Sequence, residues 1–102
     1  MKTYTVIVRD EVFVDIDFLA DYIISLSTAE HAEAYAQMLV QEMQTLEYLA
    51  AIIPFSSWKL AKKYHPYAKV KFTWNRKWCI IFHIEDTFAV VDKLLPARLL
   101  IK

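Results

Sequence analysis

A chain of 102 residues with one cysteine has room for a single modest core, and it excludes an internal disulfide or a multi-cysteine zinc site. It has no glycine, which excludes the P-loop, the dinucleotide fingerprint and the glycine-based nucleophile elbow, because each needs glycine for sharp turns and close backbone approach. The formal net charge of zero hides a sorted chain: Asp10 to Trp58 carries nine acidic residues and no Lys or Arg, while Lys59 to Ile84 carries seven basic residues and no Asp or Glu.

Residues 2–9 are rich in β-branched and aromatic types and predict a first strand. Phe13, Ile16, Leu19, Ala20, Ile23 and Ile24 recur at helical spacing, which predicts an amphipathic helix over 11–26. Ser27-Thr28-Ala29-Glu30 has the capping-box form, with a Ser hydroxyl as the expected acceptor and Glu30 reaching back. A long second helix is predicted over 29–52, its buried stripe marked by Ala32, Tyr35, Ala36, Leu39, Met43, Leu46 and Ala50. Pro54 ends it, and the short connection between the helices implies an antiparallel hairpin.

Residues 55–68 are a basic and aromatic connection. Lys69 to Trp74 alternates as a strand with Val70, Phe72 and Trp74 on one face. Asn75-Arg76-Lys77 supplies a turn, with Asn75 the residue expected to tolerate a positive φ. Trp78 to Ile84 is a nearly continuous apolar run, as in a central strand buried on both faces. Glu85-Asp86-Thr87 is a second turn, Phe88 to Leu95 the last strand, and Pro96 its stop. The expected architecture is one α+β domain over residues 1–102, β-α-α-β-β-β, with an antiparallel sheet covered on one face by the helical hairpin.

No apolar run approaches the ~20 residues of a membrane span. There is no charged segment followed by an apolar one at the N-terminus, so a cytoplasmic protein without a signal peptide is expected. The 57% apolar content exceeds the usual ~45–50%, which implies a rich core or apolar surface kept for a partner. Lys59, Lys62, Lys63, Arg76 and Lys77 form the basic stretch that would meet nucleic-acid phosphates. His31, His65 and His83 share no metal-ligand spacing, and His31 and His65 are expected at the surface. Asp15, Asp17 and Asp21 read as a solvated helix face, Cys79 as a packed apolar residue, and Trp78 as core. No cofactor and no metal are expected.

The order of elements resembles the RelE/ParE superfamily of toxins from bacterial type II toxin–antitoxin modules. The resemblance rests on the acidic-apolar first helix (Val14 to Ile23), the Ala32 to Ala36 run with Leu39, Met43, Leu46 and Pro54, and the strand Trp78-Cys79-Ile80-Ile81-Phe82. It implies a plasmid-stabilisation-type toxin that arrests growth and is neutralised by a cognate antitoxin, whose helical segment covers an apolar surface of the toxin. ParE-like members poison DNA gyrase. RelE-like members cut mRNA in the ribosome without a metal, using a general base and cations that stabilise the phosphorane. The resemblance points to Lys69, Lys71 and Arg98 as the catalytic candidates, with His83 a weaker one as acid or base, and to Trp58 as an antitoxin contact. Alternation places Lys69 and Lys71 on one strand face, where both could meet phosphate. Cys79 stands where those nucleases carry an arginine, Leu95 where many carry a histidine, and no tyrosine follows Arg98. The helical half looks more ParE-like, and gyrase poisoning needs no catalytic set. The alternative is an inactive binding or assembly module of the same shape. A homodimer is a further expectation.

Overall fold

The structure, a computed structural model, describes residues 2–99. Strand β1 (Thr5–Val8) leads into helix α1 (Asp10–Leu26) and helix α2 (Ala29–Gln44), followed by the short helices α3 (Leu46–Leu49) and α4 (Lys59–Lys62). Strands β2 (Lys69–Phe72), β3 (Trp78–Glu85) and β4 (Phe88–Pro96) complete the chain, with a 3-10 turn at Ala97–Leu99. The α+β class and the element order agree with the expectation.

The sheet order is β1-β4-β3-β2. β2–β3 and β3–β4 pair antiparallel, as tight connections require. β1 corrects the expectation of an all-antiparallel sheet: it runs parallel to β4, with Thr5 opposite Phe88 and Val8 opposite Val91. Hairpin turns dictate the sense of neighbouring strands, but β1 reaches β4 only after the whole helical excursion, and a crossover of that length permits parallel pairing.

The first sheet face carries the main core. Ile80, Phe82, Ala89, Val91 and Leu94 pack there against Val12 and Ile16 of α1 and Leu39, Met43 and Leu46 of the α2–α3 arm. The second face is covered by the connection that the sequence left without structure. Ala61 of α4, Ala68 and Trp58 pack on Ile81, and Leu60 and Trp58 pack around Cys79. β3 is thus buried on both sides, and Cys79, Ile80, Ile81 and Phe82 are fully buried.

Two helix details differ from the expectation. Thr28, not Ser27, caps α2, its hydroxyl accepting from the His31 amide at 3.0 Å, one residue later in the same cap sequence. The long second helix is interrupted at Thr45, whose hydroxyl donates to the Glu42 carbonyl at 2.5 Å, a back-bond that bends helices.

The β2–β3 turn also departs from the reading. Arg76 takes the positive φ (58°), not Asn75. The Asn75 carboxamide instead accepts from the Thr73 hydroxyl at 2.7 Å and the Lys77 amide at 3.1 Å. In β3–β4 the register shifts after Ile81: Ile81 lies opposite Lys93 and Phe82 opposite Val91, which leaves Asp92 as the extra residue of a bulge. Bulges re-aim side chains, and this one decides where Asp92 points.

Candidate functional site

The β2–β3 turn, the end of β4 and the middle of α2 enclose a cleft of about 460 Å³ lined by Tyr35, Arg76, Lys77, Trp78, Pro96, Ala97 and Arg98. It is assembled by short local contacts. The Ala97 amide donates to the Lys77 carbonyl at 2.8 Å, which brings Arg98 beside the turn. The Tyr35 hydroxyl accepts from Asn75 Nδ2 and from Trp78 Nε1, each at 2.9 Å. The Arg76 guanidinium lies 5.1 Å over the Phe72 ring. Among the described residues no carboxylate pairs with Arg76, Lys77 or Arg98. Three cations that no described carboxylate pairs, beside two aromatic residues, make the cleft electrostatically suited to an anionic group. Among the described residues no carboxylate or imidazole lines the cleft, whose ionisable side chains are Tyr35, Arg76, Lys77 and Arg98.

The strand lysines lie elsewhere. Lys69 is 5% exposed. Its Nζ donates to the Ala50 carbonyl at 2.9 Å and sits 5.0 Å from the Phe55 ring centre. Burial pulls its pKa below the usual lysine value. Lys69 therefore closes the C-terminal end of the helical arm, where a cation suits the free carbonyls. Lys71 pairs with Glu42 of α2, whose other oxygen accepts from the Trp74 amide at 2.9 Å. Both lysines face the helical arm, but each ammonium is tied to a different protein group. They do not open together onto solvent as the phosphate-binding reading requires. Of the sequence candidates, the structure gathers Arg76, Lys77 and Arg98 into one cleft. It keeps Lys59, Lys62 and Lys63 exposed on and beside α4.

His83 has the partner that the sequence did not reveal. Its Nδ1 lies 2.6 Å from Asp92 Oδ2, and Arg9 Nε donates to Asp92 Oδ1 at 2.7 Å. The pair with Asp92 raises the Arg9 pKa above its ordinary value. His65 is not a free surface residue: its ring stacks on His83 with centroids 3.8 Å apart and planes 3° from parallel. One signal was present in the sequence. Asp92 follows four apolar residues in a strand, and a carboxylate buried there needs partners. Trp58, the expected antitoxin contact, is half-buried and packs edge-on to Phe72 at 5.8 Å.

A second cleft, also about 460 Å³, runs between α1 and α2. Phe13, Ile16, Ala36 and Val40 form its floor, and Asp17 and Glu33 stand at its rim. Beyond it, α1 exposes Val14, Phe18 and Tyr22 at four-residue spacing. The core uses Val12 and Ile16 on the other side of this helix, so the outer row is not needed to hold the fold.

Among the described residues no group of His, Cys, Asp and Glu forms a metal site. No helix among them is long and apolar enough to cross a membrane.

No protein-family model matches the sequence, and no curated protein matches it either. Among solved structures the fold is similar to a chain of the "Chromosomal ParDE TA system from P. aeruginosa", with a TM-score of 0.78, 13% identity, and coverage of 92% of this chain and 96% of that one. The chain therefore has a ParE-like fold, the architecture that the sequence resemblance implies.

Proposed function

We propose that this chain is the toxin of a bacterial type II toxin–antitoxin module, acting by binding its target in the ParE manner, with DNA gyrase as that target. The observation that carries the reading is the cleft at the β2–β3 turn, with three cations that no described carboxylate pairs and no carboxylate or imidazole among its described lining residues. Such a site suits phosphate or carboxylate and lacks, among the described residues, the imidazole or carboxylate that most often takes a proton from a hydroxyl. The engagement of Lys69 and Lys71 by Ala50 and Glu42 supports the same preference over RelE-like mRNA cleavage. The ParE-like fold supports a toxin of this kind, and the α1–α2 groove is the seat proposed for the antitoxin. Its apolar floor and acidic rim suit an amphipathic helix with basic flanks.

Inducible expression of the chain alone in a bacterial host tests this. Growth should stop, a DNA-damage response should rise, and mRNA should stay intact. Ribosome-dependent cleavage of mRNA would replace gyrase by translation as the target. Normal growth at high soluble expression would remove the toxin reading and leave an inactive binding module of the same shape.

A further inference from the structure

Tyr35 reads in the sequence as part of the buried stripe of α2, but it is half-buried and its hydroxyl reaches the β2–β3 turn. Chemistry fixes the sense of each hydrogen bond there. Trp78 Nε1 only donates, so the Tyr35 oxygen accepts from it at 2.9 Å. The Asn75 carboxamide is oriented by its other partners: its Oδ1 accepts from the Lys77 amide at 3.1 Å and from the Thr73 hydroxyl at 2.7 Å. Its Nδ2 therefore faces Tyr35 and donates at 2.9 Å. Among the described residues the Tyr35 O–H proton has no acceptor of its own. A phenol whose oxygen already accepts two bonds has only its proton left to offer. Tyr35 lines the cleft together with Arg76, Lys77 and Arg98. Glu42, the carboxylate that α2 brings to the same turn, is engaged by Lys71 and the Trp74 amide.

We infer that Tyr35 is the neutral, directional donor of this cleft, and that the group bound there is a phosphate, one oxygen of which accepts the Tyr35 hydrogen bond while the cations hold the others. The inference rests on the proposed reading of the cleft as the target-binding site, and it specifies the ligand of that site. The donor set selects phosphate over carboxylate. A carboxylate has two oxygens, which a single guanidinium fork satisfies. A phosphate presents oxygens in more directions, enough for two guanidinium groups, an ammonium and a hydroxyl together. The cations draw an anion in from any side, but a hydroxyl bonds only to an oxygen at the right distance and angle. Tyr35 thus sets how the anion sits, and it does so from α2 while its own position is held by Asn75 and Trp78. Loss of one hydrogen bond to a charged group lowers affinity by about tenfold.

The test is titration of the whole chain with inorganic phosphate at constant ionic strength, read from the Lys77, Ala97 and Arg98 amide signals in NMR spectra, with acetate as the carboxylate probe. Phosphate should give saturable shifts in the parent and bind more tightly than acetate. Tyr35→Phe, which keeps the ring and loses the proton, should weaken phosphate about tenfold. Asn75→Ala and Trp78→Phe each break a bond to Tyr35 from the other end and spare its O–H, so both should stay within about twofold of the parent. Parent-like affinity in Tyr35→Phe overturns the inference and leaves the proposed function standing. An equal loss in all three variants also overturns it, because Tyr35 then acts only by holding the turn. Acetate as tight as phosphate refutes the choice of ligand. No saturable shift in the parent overturns the inference and withdraws the cleft from the proposed function, whose growth arrest is measured separately. Should Tyr35→Phe fail to fold, a crystal of the parent saturated with phosphate decides. A phosphate oxygen within hydrogen-bond distance of the Tyr35 hydroxyl supports the inference, and a cleft that is empty or holds phosphate away from Tyr35 refutes it.

Discussion

Glu42 shows how one carboxylate holds two elements together. It pairs with Lys71 and accepts the Trp74 amide, so it ties α2 to the β2–β3 turn. Both members of the pair are largely buried, with side chains 17% and 16% exposed. Removing the carboxylate strands an ammonium and an amide together. Glu42→Ala is expected to lower stability by about 3 kcal/mol, measured by urea unfolding. Glu42→Gln, which keeps an acceptor for Trp74, should cost less. Cys79 offers a pH-dependent check at the same scale. Burial pushes its thiol up to about 11 from 9.0, so the folded state keeps the proton that the unfolded chain gives up. The unfolded chain binds fewer protons at high pH, so stability should decline as pH rises from about 9 towards 11. At pH 8 the folded thiol should resist alkylation and react only on unfolding. Rapid labelling of native protein at pH 8 would show that β3 is not sealed on its second face.

The elements that announce themselves in the sequence are those governed by local rules. The helical periodicity of Phe13 to Ile24 and the apolar run of Trp78 to Ile84 depend on burial of one stripe or of two faces, and α1 and β3 appear where those patterns lie. The parallel seat of β1, the bulge at Asp92 and the α4 cover depend on contacts far apart in sequence, which no window of residues contains. The site divides the same way. Arg76, Lys77 and Arg98 were legible as cations, but their meeting depends on the Ala97 to Lys77 hydrogen bond. His65 reads as a surface residue until the connection folds back on β3. The β2–β3 turn makes the element scale testable. Arg76 sits at φ 58°, a region that costs a residue with a Cβ about 1–2 kcal/mol. Arg76→Gly should therefore match or exceed the parent in thermal unfolding, while Arg76→Val, β-branched at that φ, should fall below it by at least about 1 kcal/mol. Equal melting of the two variants would mean that the turn relaxes to another conformation.

At the scale of the whole molecule, the two ends of the charge pattern serve different contacts. The acidic groups of α1 and α2 rim an apolar groove, and the cations of the β2–β3 turn and the 3-10 turn line a polar cleft. At ~0.1 M salt charges interact over about 10 Å, so each site acts on what approaches it and the zero net charge matters little to either. Fold and target binding should then separate under mutation. Arg76 and Arg98 are exposed and pair with no described carboxylate, so Arg76→Glu with Arg98→Glu should leave the circular dichroism spectrum and melting temperature near those of the parent. The same double variant reverses the cleft's charge, and it should lose growth arrest at matched soluble expression. Its affinity for a basic amphipathic helix in the α1–α2 groove should be unchanged, because the groove lies between other elements. A double variant that arrests growth as fast as the parent would remove the cleft from target binding. One that fails to fold would show that these cations stabilise the turn itself, and single Arg98→Ala would then carry the comparison.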